Sequence, residues 1–361
     1  MRARYGGCVL LFCLSFTAGF AQRNGPAGPP ASVPSGGASR RITLDVAVTD
    51  KSGKPVAGLQ QNDFTLLDNK QPQRIVSFRA EEKGAAPDAP VEVVLVADEI
   101  NTGYLNLVAD RDEIEKFLRR DGGELALPVS MVFLSDTVTS IGRASSRDGN
   151  ALAASLDAHK FGLRAVGSAQ GLFGDAERRE LSLRALDQLL NYEATRPGRK
   201  LVVWIGPGWP LFAGSTVTPS WKGQQAIFGS VVACSDSLRR ARTTLYDVNP
   251  RGNWQDTMEK VAYERFLTGL RTAKQAQFGS LGLQVLAYQS GGRSFDSSGD
   301  LAGLIATCVM DGTDSYALSF DGLPGAGPNE YHELELKTST RDLTVRAPSG
   351  YYAQPEHASA R

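Results

Sequence analysis

Four short runs constrain this chain more than any other feature: VEVVLVA (91–97), PVSMVFLS (128–135), KLVVWIG (200–206) and TTLYDV (243–248). Each is nearly continuous in apolar residues rather than alternating. That is the pattern of a strand covered on both faces, and such strands build parallel sheets. Helical patterns lie between the runs. Leu107, Ile114, Phe117 and Leu118 line one side of a first helix. Residues 175–195 form another, with Asp175 as its N-cap and Arg196-Pro197-Gly198 as its stop. Helices near 223–241 and 300–310 complete the alternation. It predicts an α/β fold over residues 91–313, an open, doubly wound and mostly parallel sheet.

The flanks follow a different rule. ITLDVAVTD (42–50) alternates apolar and polar residues, and NDFTLLDNKQPQRIVSF (62–78) holds two short strands around a turn at Asp68-Asn69-Lys70. After Asp314 the β pattern returns in SYALSF, YHELELKT and LTVRAPSGYYA. Neither flank has enough strands for an independent sheet pair. Residues 41–80 and 314–353 are therefore expected to combine into one β-sandwich, with the α/β domain inserted between its halves.

The start of the chain reads as an export signal over residues 1–21. Arg2 and Arg4 precede a short apolar core at 8–20, and Gly19-Phe20-Ala21 places cleavage before Gln22. A Gly-, Pro- and Ser-rich tether follows at 22–40. Removing the leader takes away two arginines, so the basic side chains fall two short of the 39 acidic ones. This balance supplies no basic field for nucleic acid. No later run is long and apolar enough to span a membrane. The expectation is a secreted or periplasmic protein with no membrane insertion after cleavage. Cys234 and Cys308 lie on apolar helical stripes, the setting of buried unpaired thiols, although export also permits a disulfide between them.

Several motifs together resemble a known family. A strand ending in Asp98, a hairpin opening with FLSD (133–136) and PGRKLVVWIG (197–206) are similar to a von Willebrand factor type A domain. VTDKSGKPVAGLQQNDFTLLDNKQPQRIVSF near the start and EYHELELKTSTRDLTVRAPSGYYA at the end look like the VWFA-related acidobacterial family of exported proteins. The resemblance implies a crevice at the carboxyl end of the central strands. It also implies a metal-ion-dependent adhesion site of the form Asp-x-Ser-x-Ser, completed by a Thr and an Asp from later loops. On this chain the first position is Asp98, the two serine positions are Ile100 and Thr102, and the fourth-strand acid is replaced by Gly206-Pro207-Gly208-Trp209. Ser168 is the hydroxyl nearest the third position.

Two readings of the turn follow. Asp98 and Thr102 form a weak, degenerate Mg²⁺ site, since Mg²⁺ needs a near-octahedral set of oxygens and Ile100 gives none. Alternatively, Asp98, Asn101 and Thr102 cap the loop through side-chain hydrogen bonds. The facing loop, 206–212, carries Trp209 and Phe212. These are either exposed anchors for a partner or, for Trp209, a lid folded over the sheet edge. The stretch 249–279, with Trp254, Tyr263 and Phe266, either lengthens this face or packs against it.

Catalytic signatures are weak. His159, His332 and His357 have no metal-ligand spacing, read as surface or cap residues, and accompany no Gly-x-Ser-x-Gly elbow. GSAQGLFG (167–174) lacks the Gly-Lys-Ser/Thr end of a phosphate loop. The expected function is noncatalytic binding of a protein or cell-envelope component at Asp98, Asn101, Thr102, Trp209 and Phe212, with no required cofactor. A structural envelope protein without a discrete ligand is the alternative, and a metal-dependent hydrolase the more remote one.

Overall fold

The computed structural model describes residues 40–81, 90–136, 139–141, 144–161, 172–210, 219–251, 263–296 and 299–356. The expected leader and nearly all of the tether lie outside these, as do Ser168, Phe212, Trp254 and His357.

Along the chain, β1 (Arg41–Thr49), β2 (Phe64–Asp68), β3 (Gln71–Gln73) and β4 (Ser77–Glu81) come first. The α/β portion follows. It runs β5 (Val91–Asp98), α1 (Tyr104–Leu118), β6 (Glu124–Leu134), β7 (Thr139–Ser140), β8 (Ser146–Asp148), α2 (Gly149–Ala158), α3 (Leu172–Glu193) and β9 (Arg199–Ile205). It continues with α4 (Trp221–Arg240), β10 (Thr243–Asn249), α5 (Leu283–Gln289), β11 (Ser294–Asp296) and α6 (Leu301–Met310). Four strands close the chain: β12 (Ser315–Asp321), β13 (Glu330–Thr338), β14 (Thr344–Arg346) and β15 (Gly350–Ala353).

The central sheet has the order β11-β10-β9-β5-β6-β7, with β8 also paired to β6. The pairs among β11, β10, β9, β5 and β6 are parallel, while β7 and β8 join antiparallel. Every residue of β5, β9 and β10 is buried, as their continuous apolar runs require. Side-chain alternation divides the core in two. Val93 and Leu95 of β5 face Ile114 of α1, Leu152 of α2 and Ile305 of α6. Val94 and Val96 face Leu186 and Leu189 of α3, with Leu286 of α5. Strands β5 and β9 feed helices on opposite faces, so the chain's winding reverses between them. That reversal opens a crevice beyond their carboxyl ends.

Helix boundaries differ from expectation at one place. Asp175 is not an N-cap: α3 begins at Leu172, and Asp175 lies in its first turn paired with Arg178. The caps present are Asp148, which accepts from Ala151 N at 2.9 Å, and Ser220 and Asp300 on α4 and α6.

The two flanks pair with each other. In one antiparallel sheet, β14-β1-β12-β4, Arg41 stands opposite Asp321 and Phe78 opposite Leu318. In the other, β15-β13-β2-β3, Leu66 stands opposite Leu336. The turn joining β2 to β3 holds Asn69 and Lys70 at φ 48° and 67°, the left-handed pair that a two-residue hairpin needs. Leu44, Val46, Leu66, Leu318 and Tyr351 of both sheets meet in one apolar cluster. Inside it, Asp68 accepts from Tyr351 at 2.6 Å and bonds His332 Nδ1 at 2.8 Å. His332 is thus a buried strand residue, not the surface residue its sequence setting suggested. A β run does not disclose which face carries its polar partner.

Charged contacts lock the antiparallel sheets to the parallel one. Arg242, at the start of β10, pairs with Asp45 of β1. Asp311 pairs with Arg346 and accepts from Tyr246 at 3.0 Å. Residues 40–361 form one compact unit. Cys308 is buried, Cys234 half-buried, and both are free thiols. Burial pushes the Cys234 thiol up to about 12 and raises Cys308 further. Among the described residues, no helix is long and apolar enough to cross a membrane.

Candidate functional site

Strand β5 ends at Asp98, and the chain turns at once. The Asp98 carbonyl accepts Thr102 N at 3.2 Å. Its carboxylate folds back over the turn: Oδ1 accepts from Ile100 N at 3.0 Å and Asn101 N at 2.9 Å. This is the way an Asp side chain stands in for backbone in a turn. The other oxygen, Oδ2, accepts from Asn101 Nδ2 at 2.8 Å and from the Trp204 indole N–H at 2.9 Å. Asn101 Nδ2 also reaches Ser182 Oγ on α3 at 2.9 Å. The turn is therefore tied both to β9 and to α3.

Asp98 is fully buried. Burial raises its carboxyl above the usual range, outweighing the donors from Asn101 and Trp204, which lower it. Two strands away in the sheet, Asp247 of β10 is also fully buried. Burial first, and the nearby charges of Asp296 and Asp98 next, push it up to about 7, against one opposing hydrogen bond from Ser294. That bond, Ser294 Oγ to Asp247 Oδ2, measures 2.7 Å. Among the described residues, the buried oxygens at this end of the sheet without a hydrogen-bond partner include Asn101 Oδ1, Thr102 Oγ1 and Asp247 Oδ1.

The opposite rim closes tightly. A Cβ placed on Gly206 would stand 2.9 Å from Asp98 Cβ and 3.2 Å from Thr102 Oγ1. No side chain of any kind fits there, which is a steric reason for glycine where the resemblance implies an acid. Gly208 turns the chain at φ 80°. Trp209 then folds inward, 3% exposed, and meets Trp204 edge-to-face with centroids 5.3 Å apart. This corrects the anchor reading: Trp209 is the lid of the Asp98 turn, held by an aromatic pair rather than offered to a partner.

The resemblance implies Mg²⁺ here, and the residues present do not fit it. Asp98 and Thr102 do come together, and the unpartnered oxygens are of the right type. Yet both Asp98 oxygens already accept two N–H donors each, and two of those donors, from Asn101 and Trp204, stand where a cation would approach Oδ2. Ile100 is buried and brings no oxygen. Among the described residues no group of three or more His, Cys, Asp or Glu is arranged to hold a metal ion.

The edge also exposes several large apolar side chains. At the start of α1, immediately after the turn, Tyr104 is 55% exposed, Leu105 82% and Val108 37%. Trp221, the first residue of α4, is exposed as well. The described part of 249–279 packs instead: Tyr263 stacks on Tyr288, and Leu270 and Ala276 join Val231 of α4.

Sequence reasoning found Asp98, Asn101 and Thr102 but missed Trp204, Ser182 and Asp247. Two of these left a trace. An indole inside an aliphatic run needs an acceptor, and an acid inside an apolar strand needs a donor or a proton. No family model matches this chain, and no curated protein matches it.

Proposed function

We propose that the protein is a noncatalytic binding module, with a type A-like α/β domain set into a β-sandwich formed by the two flanks. It works outside the cytoplasm, secreted or periplasmic, and its partner is a protein or a cell-envelope component. The contact surface is the carboxyl edge of the central sheet beside the Asp98 turn. The observation that supports this reading is the exposed Tyr104, Leu105 and Val108 at the first turns of α1. Apolar side chains grouped on a surface mark contact sites more often than scattered ones do. The rigid turn beneath them reduces the ordering cost of binding.

A photo-crosslinking residue at position 105, compared with one at the exposed Lys51 turn, tests the proposal in the envelope fraction of the source cells. The expected result is one discrete adduct from position 105, absent at 51 and lost when Tyr104→Asp and Val108→Asp are added. Adducts that are the same from both positions, or none from 105, overturn it and leave a structural module without a discrete ligand.

A further inference from the structure

Glu99 follows Asp98 directly and lies toward the other side of the sheet. Its N–H continues the ladder to Leu134 O at 2.9 Å, and its side chain is 2% exposed. A carboxylate so deeply buried is costly unless a partner compensates it. His159, at the end of α2, does so: Nε2 stands 2.7 Å from Glu99 Oε1.

Three further contacts hold His159, two on its ring and one on its backbone. Its ring lies flat on Phe133, centroids 3.7 Å apart and planes within 10°. Phe161 meets its edge. Its own carbonyl accepts from Arg111 Nη2 at 2.6 Å, while that guanidinium covers the Phe161 ring. A buried carboxylate that orients a histidine through one nitrogen leaves the other set for a ligand. Here the other nitrogen, Nδ1, has no partner among the described residues.

Beside this ring lies a cavity of about 330 Å³. Met131 and Phe133 of β6 and Ala158 of α2 give it apolar walls, and Ser140, Ser155, His159 and Lys160 give it polar ones. Among the described residues that line it there is no acid. Lys160 is exposed and lines the cavity. The volume falls in the range of small-molecule sites. Hydroxyls and an ammonium favour a carboxylate group, and His159 joins them with both ring nitrogens protonated, Nε2 donating to Glu99 and Nδ1 to the ligand, since charge-assisted hydrogen bonds are the strong ones.

We propose that this cavity is a binding site for a small organic carboxylate, its head group on His159 and Lys160 and its apolar body against Met131 and Ala158. The site is separate from the carboxyl-edge surface above and does not depend on it.

Titration of the mature chain with benzoate, benzamide and inorganic phosphate tests this, read by the His159 imidazole resonances and by calorimetry. Benzoate is expected to saturate at a Kd on the order of 1 mM, with benzamide and phosphate at least tenfold weaker. Lys160→Ala and His159→Gln should each lose about tenfold in benzoate affinity. Lys160 is a surface residue, so its variant reports on binding even if His159→Gln perturbs folding, which a thermal melt checks. Absence of saturable benzoate binding, equal binding of benzamide, or unchanged affinity in Lys160→Ala overturns the proposal. Phosphate binding as tight as benzoate overturns the apolar half of it.

Discussion

Asp98 and Glu99 are neighbours in the chain and opposites in their surroundings. Both are buried acids at the end of one strand. Asp98 gathers four donors from its own turn and from Trp204, and a glycine and a tryptophan seal it from above. Glu99 holds one imidazole, and that imidazole lines a cavity. What separates them is what they hold: Asp98 fastens the backbone and core donors of its own turn, whereas Glu99 holds a side chain that lines a cavity. A saturated carboxylate is a fastening, whereas one that orients another group leaves that group's chemistry available.

The largest test of this contrast is Asp98→Ala. It strands the Trp204 and Asn101 donors in the core and should cost about 3–5 kcal/mol of stability in urea unfolding. A loss under ~1 kcal/mol would show that the turn holds itself without the acid. Next comes Asp247, whose folded carboxyl, near 7, lies above its ordinary value of 3.8. A raised acid contributes stability that is complete below its unfolded pKa and lost as pH rises through the folded one. Stability should therefore fall between about pH 4 and pH 7, and Asp98, also raised, acts in the same sense. Asp247→Asn should flatten much of that fall and gain about 2–4 kcal/mol at pH 8 over the native chain. Melts across this window in both proteins decide it.

Glu99→Gln should be milder, about 1 kcal/mol or less, because the amide oxygen still accepts from His159. A loss as large as that of Asp98→Ala would erase the distinction drawn between the two acids. The smallest effect expected is that of Mg²⁺. At about 10 mM it should stabilise the chain by less than ~0.5 kcal/mol, the outcome of a Kd no tighter than that concentration. A larger gain that disappears in Asp98→Asn would show that the turn yields its donors to a cation.

Much of this architecture was legible in the residues. Continuous apolar runs announced β5, β6, β9 and β10, and alternation announced β1. The turn at 98–102 stood out because an acid, an amide and a hydroxyl follow an apolar strand. What was not legible depended on partners remote in sequence. Trp209 reads equally as anchor or lid until Trp204 is seen beneath it. The pairing of His159 with Glu99 spans 60 residues, and nothing local to either residue foretells it. Nothing in the sequence marks Tyr104 and Leu105 as exposed rather than core. Only the sheet's geometry turns them outward.

The pairing of β1 with β12 has a consequence in time. Arg41 waits for Asp321, 280 positions later, and β14, the other neighbour of β1, is made later still. At synthesis rates of roughly 5–20 residues per second, the first strand stays without either neighbour for tens of seconds. Closure between such distant positions is slow, and an unpaired edge is open to wrong partners throughout. A chain cut between Asp311 and Ser315 keeps all of the parallel sheet and loses both strand neighbours of β1. Such a fragment should emerge as an aggregate, however well its centre can fold.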